Sequence, residues 1–542
     1  MGEQLPNRWW GWGTPRRPQE LPSAARELLR ERLGVEQPAA PAVDPEAIEV
    51  PEPEPLPEAI AAAVGDEQVR TGRIARLRHA AGKSYPDLIR MRDGAPEALA
   101  DGVVSPANSA ELAAVLEACA RERVAVIPFG GGTSVVGGVT PLRGEHGRAI
   151  SLDLGRMRAV EVDPLSLVAR LGPGLPGPEA ERRLRERGFV LGHYPQSFER
   201  ATIGGFAATR SAGQASSGYG RFDSLVTAVS MVAPAGRLST RETPHSAAGP
   251  ALRELVLGSE GVLGVIDEVA VRVRPVPASR RYEGWMAPSF AEGMQTFRRL
   301  AQADALPDVL RLSDESETSV STAISGIGKA ARAAFDTYLK LRRRHHGCLM
   351  ICGWEGEPER VASRAAATAR MLRRDGAIAL GGAPGRSWLH GRYRGPYLRD
   401  LLIDAGAMVE TLETAHSWTR LSELYAAVGG AIGAAMETQG TPGLVLCHVS
   451  HVYRDGASLY FTWICAARQG AEIEQWRAIK SAACEAIVGA EGTITHHHAV
   501  GTDHSPYMKA EISELGVEAL RALKGRLDPA GVMNPGKLIP IG

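Results

Sequence analysis

One run of eleven residues, Pro128-Phe129-Gly130-Gly131-Gly132-Thr133-Ser134-Val135-Val136-Gly137-Gly138, restricts what this chain can fold into more than any other. Five of the eleven are glycines, and the run leaves an apolar stretch, residues 124–127, that reads as a buried strand. A loop without Cβ atoms bares its N–H groups, and glycines free to take positive φ let successive amides converge on a phosphate or pyrophosphate. Thr133 and Ser134 add hydroxyl donors. An isolated GGG is more often a turn between strands. Here a second loop, Thr202-Ile203-Gly204-Gly205-Phe206-Ala207-Ala208-Thr209-Arg210-Ser211, repeats the chemistry, so the two are expected to wall a single dinucleotide site. Neither follows the GxGxxG spacing of a Rossmann unit, and no GxxxxGK[ST] occurs, which disfavours those folds.

At 542 residues the chain calls for two or three domains. Lys+Arg and Asp+Glu both total 62, and without a basic excess or a Lys/Arg-rich block nucleic acid is not an expected partner. No apolar run approaches the roughly 18 residues of a membrane span, and the start lacks a basic-then-apolar leader. The ending Pro540-Ile541-Gly542 is not a peroxisomal tripeptide. A soluble, cytoplasmic protein is expected. Its six cysteines include no CxxC pair, so buried free thiols are expected rather than disulfides or zinc.

Residues 1–94 read as a helical N-terminal region with a linker. Trp9, Trp10 and Trp12 form an indole cluster that either docks on the body of the protein or lies at a lipid interface, with docking favoured. Ser23 is placed to cap a helix to about residue 34, apolar at Ala25, Leu28, Leu29 and Leu33. Residues 38–57 alternate Pro with Glu and Ala, a stiff linker. Residues 95–279 form an α+β unit. It has a helix from Ser109 to about Arg123, strands at 124–127, 149–154, 166–171, 225–233 and 269–274, and helices near 178–187 and from 251. In residues 280–490 a second α+β unit pairs Ala/Arg-rich helices (329–344, 357–374, 420–436) with strands at 348–353 and 459–466. Residues 491–542 carry His496-His497-His498 and a helix near 517–527.

Together these motifs resemble the FAD flavoproteins of the vanillyl-alcohol-oxidase type, and within them the alkyldihydroxyacetonephosphate synthases. The resemblance spans nearly the whole chain. It is most specific in residues 128–134, in the stretch from His193 to Ser211, in residues 260–266 and in the triple histidine. It implies an α+β fold: two subdomains holding FAD, a cap domain over the ring and a short helical N-terminal region. The FAD site would comprise Pro128, Phe129, Gly130, Gly131, Gly132, Thr133 and Ser134, with His193 as a further candidate. Gln196, Ser197, Phe198, Glu199, Arg200, Ala201, Thr202, Thr209, Arg210, Ser211 and Ala212 would form its second wall. Glu260, Gly261, Val262, Leu263, Gly264, Val265 and Ile266 would complete it. Relatives that tether FAD often carry histidine where this chain has Thr133, so non-covalent FAD is expected.

Tyr460 stands in an alternating strand that turns it and Ser458 to one face. The resemblance makes it the proton donor and acceptor, although the usual fate of a strand tyrosine is a core position. A phenol of ordinary pKa near 10 needs a cationic neighbour to act as a base at neutrality, and the histidines are candidates. Extended backbone would point His496 and His498 one way and His497 the other. With no acid flanking the run, the triplet is read as proton-handling and not as a metal site. Arg399 and Arg311 match substrate-binding and activity-linked arginines of the family, and guanidinium suits a phosphate. Thr411 is a further pocket candidate.

The implied reaction is net non-redox. Acyl-dihydroxyacetone phosphate loses its fatty acid, the three-carbon unit is held on the flavin, and a fatty alcohol takes the vacated place. The partner is therefore a lipid substrate, with membrane contact and a homodimer as open alternatives. The rival is an FAD-linked 2-hydroxyacid dehydrogenase, to which Asn534-Pro535-Gly536-Lys537 is similar. Its GDGN-x-H and Glu-His-Gly-Ile-Gly runs are absent here, replaced by Asp455-Gly456-Ala457 with Tyr460 and by residues 497–501.

Overall fold

The computed structural model describes residues 8–13, 20–324 and 329–540, apart from the side chains of 329–331. The glycine run does leave a buried strand, Val124–Phe129. It lies parallel to Arg148–Asp153, which is parallel in turn to Gly102–Val104, with Val69–Arg70 antiparallel at the edge. Parallel neighbours need a crossover. The helix Ser109–Glu122 is such a crossover, joining Gly102–Val104 to Val124–Phe129 on the far side of Arg148–Asp153 and burying Leu112, Val115, Leu116 and Cys119 against the sheet. Its cap is Asn108 and not Ser109. The Asn108 side chain accepts the N–H groups of Ala110 and Glu111, leaving the Ser109 hydroxyl to donate to Asp267 at 2.6 Å. The far end of the chain returns here: Val126 N–H donates to Val532 O and Asn534 N–H to Val126 O.

A second, antiparallel sheet has the order Val160–Asp163, Val168–Leu171, Val265–Arg272, Val226–Ala233, Gly236–Ser239. The strand expected at 269–274 starts earlier, because Val265 and Ile266 pair with Val232 and Met231. The helix expected from 251 is the single short turn Leu252–Val256. The second small-residue loop enters the short helix Ile203–Ala208, capped by Thr202.

The third sheet is antiparallel and seven-stranded, in the order Ile378–Gly381, Ser279–Ala287, Cys348–Gly356, Val309–Ser313, Leu444–Val452, Gly456–Ala466, Ala407–Ser417. Phe461, Trp463 and Cys465 share one core with the helices Leu421–Thr438 and Glu472–Gly489. Alternation sends the residues between them to the opposite face. Ser313 stands opposite His448, His448 opposite Tyr460, and Tyr460 opposite Glu413. Directly opposed residues project to one side, so these four form a row across four strands.

The helix Ser23–Leu33 buries Ala25, Leu29 and Leu33, as the spacing predicts. Ser23 makes no capping bond, because the turn begins at Pro22. Trp10 and Trp12 are buried: the indoles dock, with the Arg92 guanidinium 4.3 Å over the Trp10 ring. All six cysteines are free and buried. The final helix begins at Met508 and breaks at Ser513, where φ is +68°. Among the described residues no helix is long and apolar enough to cross a membrane.

Candidate active site

A cavity of about 470 Å³ lies between the glycine loops and the seven-stranded sheet. The loop from Pro128 to Ser134 lines one end, and the N–H groups of residues 131–135 meet no acceptor among the described residues. Such consecutive unpaired amides suit an anion. The two loops touch, as expected: a Cβ on Gly131 would lie 2.1 Å from the Arg200 carbonyl oxygen, and one on Gly130 2.4 Å from Thr202 Oγ1. Gln196, Ser197, Ala201, Thr202, Thr209, Ser211, Ala212, Glu260, Gly261, Gly264, Val265 and Ile266 continue the lining.

Several residues expected there lie elsewhere. Phe198 stacks on Tyr393 (5.3 Å, 19°), Arg210 pairs with Asp223 and Glu254, and Val262 and Leu263 belong to apolar clusters. Glu199 is exposed, and Arg200 lines a neighbouring cleft behind the loop. His193 packs edge-on against Phe206 and Phe222 and bonds Ser211 Oγ at 3.0 Å, with burial pushing its imidazole down to about 3. Each was placed by its neighbours in sequence, whereas consecutive side chains of a loop turn variously to the core, to solvent and to the cavity.

On the opposite wall stand Tyr460, Thr411, His448, Arg399, Arg311, His497 and His498. The Tyr460 ring lies between two imidazoles, stacked on His448 (4.7 Å, 18°) and facing His497 (6.1 Å, 25°), with His498 edge-on at 5.4 Å. Burial pushes its phenol up to about 12, opposed by a hydrogen bond with Thr411 and by the Arg399 charge. The histidines therefore do not supply the expected cation. Burial holds all three imidazoles of the loop below their ordinary value, and the cation whose charge acts on the phenol is Arg399. Arg399 is itself buried, donating to Glu410 Oε1 at 2.9 Å and to the Lys83 carbonyl at 3.3 Å. Arg311 donates to Glu317 Oε1 at 2.6 Å and to His448 Nδ1 at 3.0 Å. Burial works to raise the Glu317 carboxyl, but Arg311 and His448 outweigh it and hold it at about 2.

The histidine loop is not a strand, and neither are residues 493–495 before it. His497 and His498 line the cavity together, while His496 turns away to bond the Tyr453 hydroxyl (2.7 Å) and stack on His451 (5.1 Å). The expected alternation fails because the backbone is held by acids. Glu413 accepts the N–H groups of His496, His497 and His498, and Glu260 accepts those of Val500 and Gly501, both at 2.8 Å. No acid flanks the triplet in sequence, yet Glu413, His497 and His498 bring ligand atoms within 4.8 Å of one another, as do His451, His496 and His497. Glu413 was missed by sequence reasoning. The signal was two acids, Glu410 and Glu413, inside a strand that begins Ala407-Met408-Val409 and carries Leu412 between them.

The FAD linked oxidases, C-terminal domain, matches residues 276–538, and the FAD binding domain matches residues 100–241. Alkyldihydroxyacetonephosphate synthase of Dictyostelium discoideum is 32% identical over 511 residues, covering 92% of this chain and 84% of that protein. The chain belongs to the alkyldihydroxyacetonephosphate synthase family. The Trypanosoma brucei brucei synthase is 32% identical over 90% of this chain and 81% of its own. A solved alkyldihydroxyacetonephosphate synthase superposes with a TM-score of 0.85 at 30% identity, covering 98% of this chain and 99% of that one.

The synthase family makes FAD the cofactor and the fold an FAD-binding unit with a cap. The chain fits that cofactor on its own geometry. The unpaired amides of residues 131–135 offer donors for a diphosphate, and beyond them the cavity continues to Tyr460 and His497.

Proposed function

We infer that this synthase-family member exchanges the acyl chain of acyl-dihydroxyacetone phosphate for a fatty alcohol, giving the alkyl ether. What carries the reading is the convergence of Tyr460, His497, His498 and Arg399 on one cavity that also holds the bare glycine loop. FAD, when bound, would supply an electron-poor, electrophilic ring. The amides of residues 131–135 would hold its diphosphate, and Thr133 would leave it without a covalent tether. Arg399 binds the substrate phosphate, and Arg311, fixed by Glu317 and His448, adds positive charge beside it. Tyr460 keeps its proton at neutral pH and gives the departing carboxylate a hydrogen bond from Oη, so that it leaves as the anion. A neutral imidazole of the histidine loop, where His497 and His498 line the cavity, accepts the proton that the alcohol releases. Leu28, Leu29, Val320 and Ile324 provide an apolar wall for the chains.

Incubating the purified yellow protein with acyl-dihydroxyacetone phosphate and labelled hexadecanol should put label into the ether product. Anaerobic bleaching of the flavin by D-lactate or glycolate, with no ether formed, would overturn the reading in favour of a 2-hydroxyacid dehydrogenase. Release of all yellow colour on acid precipitation is the result expected for untethered FAD. A cytoplasmic location, contact with a membrane surface and a homodimer are further proposals, the first of them tested by cell fractionation. Vesicle flotation and light scattering test the other two.

A further inference from the structure

Resting on the synthase reading, we propose that Glu413 is a positioning residue: it holds the three-histidine loop against Tyr460 and makes His497 the imidazole of that loop that carries the proton. Glu413 is 1% exposed in the middle of the strand Ala407–Ser417 and directly opposite Tyr460. Its carboxylate accepts four donors, Thr495 Oγ1 at 2.8 Å and the main-chain N–H groups of His496, His497 (2.8 Å) and His498 (2.6 Å). A loop without strand partners would otherwise bury three orphan amides, and a buried carboxylate without donors would be equally costly. Each satisfies the other, which fixes the loop in one place relative to the sheet that carries Tyr460.

The same carboxylate lies 3.5 Å from His497 Nδ1 and 3.8 Å from His498 Nδ1. His497 is faced from its own loop by His496 and His498, from the seven-stranded sheet by Tyr460, His451 and Glu413, and electrostatically by Arg221. Burial favours its neutral form and Arg221 adds to this, while Glu413 alone opposes them. His498, slightly farther from that carboxylate, and His496 sit well below their ordinary value, through burial and the neighbouring imidazoles. Of the three imidazoles, His497 lies nearest the Glu413 carboxylate, which is the counter-charge a proton on it would face.

Glu413→Gln keeps the shape and removes the charge. The flavin spectrum and KM should hold, kcat at neutral pH should fall about tenfold to a hundredfold, and the acid limb of the kcat–pH profile should move to lower pH as His497 loses its counter-charge. In histidine-labelled NMR the His497 resonance should titrate at lower pH than in the wild type. An unmoved acid limb and an unmoved titration would overturn the proposal, whatever happens to kcat. Should the variant not fold, His497→Asn serves instead: it must abolish the acid limb, and persistence of that limb overturns the proposal. Wild-type protein that makes no ether would overturn the synthase reading, whereas the NMR comparison tests the clamp independently of activity.

Discussion

Asp400 takes the backbone N–H of Trp12 on both carboxylate oxygens, at 2.8 and 3.1 Å, and so ties the N-terminal indole segment to the residue following Arg399. Gly13 N–H adds a third bond at 2.8 Å. Gly11 must be glycine for this approach, since a Cβ there would lie 2.4 Å from Asp400 Oδ2. The tether puts Trp12 into the cavity wall beside Arg399.

Removing the tether with Asp400→Ala orphans two buried amides, at about 1–3 kcal/mol. We predict earlier tryptic cleavage at Arg8 and a raised KM for acyl-dihydroxyacetone phosphate, with the flavin spectrum intact. Limited trypsin digestion and steady-state kinetics check both. An unchanged KM would separate the segment from substrate binding.

Tyr460→Phe keeps the stacked ring and removes the only titratable atom of that side chain. Turnover should drop about 10²–10⁴-fold, the usual worth of a positioned proton donor, while FAD absorbance and thermal stability stay near wild type. The measurement is ether formation normalised to bound flavin. Retained turnover would remove Tyr460 from the proton path.

Burial raises the Glu260 carboxyl to about 7 even though it accepts Val500 and Gly501 N–H groups. A folded value above the unfolded one means that the folded state binds the extra proton. The resulting stability is complete below about 4.5 and is lost as pH rises through about 7. Each unit of displacement is worth about 1.4 kcal/mol. Glu260→Gln should therefore flatten the fall in melting temperature between acid and neutral pH, as calorimetry at several pH values would show. An unaltered slope would refute this.

Gly131→Ala drives a methyl toward the Arg200 carbonyl, and Gly430, on a helix with no atom within 4 Å of an added Cβ, is its control. Gly131→Ala should separate the two loops, cost about 1–3 kcal/mol and lower the flavin content of purified protein. Gly430→Ala should leave flavin content unchanged. The ratio of visible to ultraviolet absorbance decides it.

The sequence by itself determined the parts whose signals are local. The glycines of residues 130–132 needed no partner to announce exposed amides, and the spacing of Ala25, Leu29 and Leu33 marked a buried helix face. The six scattered cysteines read correctly as free thiols, and alternation around Tyr460 gave its strand. Tertiary structure decided what depends on long-range pairing. Register across four strands put Ser313, His448, Tyr460 and Glu413 in one row, and no local pattern encodes register between distant strands. The histidine loop was read as extended because its neighbours look strand-like. Its true path follows from Glu413 and Glu260, two carboxylates far away in the chain, whose demand for donors when buried overrides local propensity. The same holds for Ser109: its hydroxyl went to Asp267, and Asn108 took the cap.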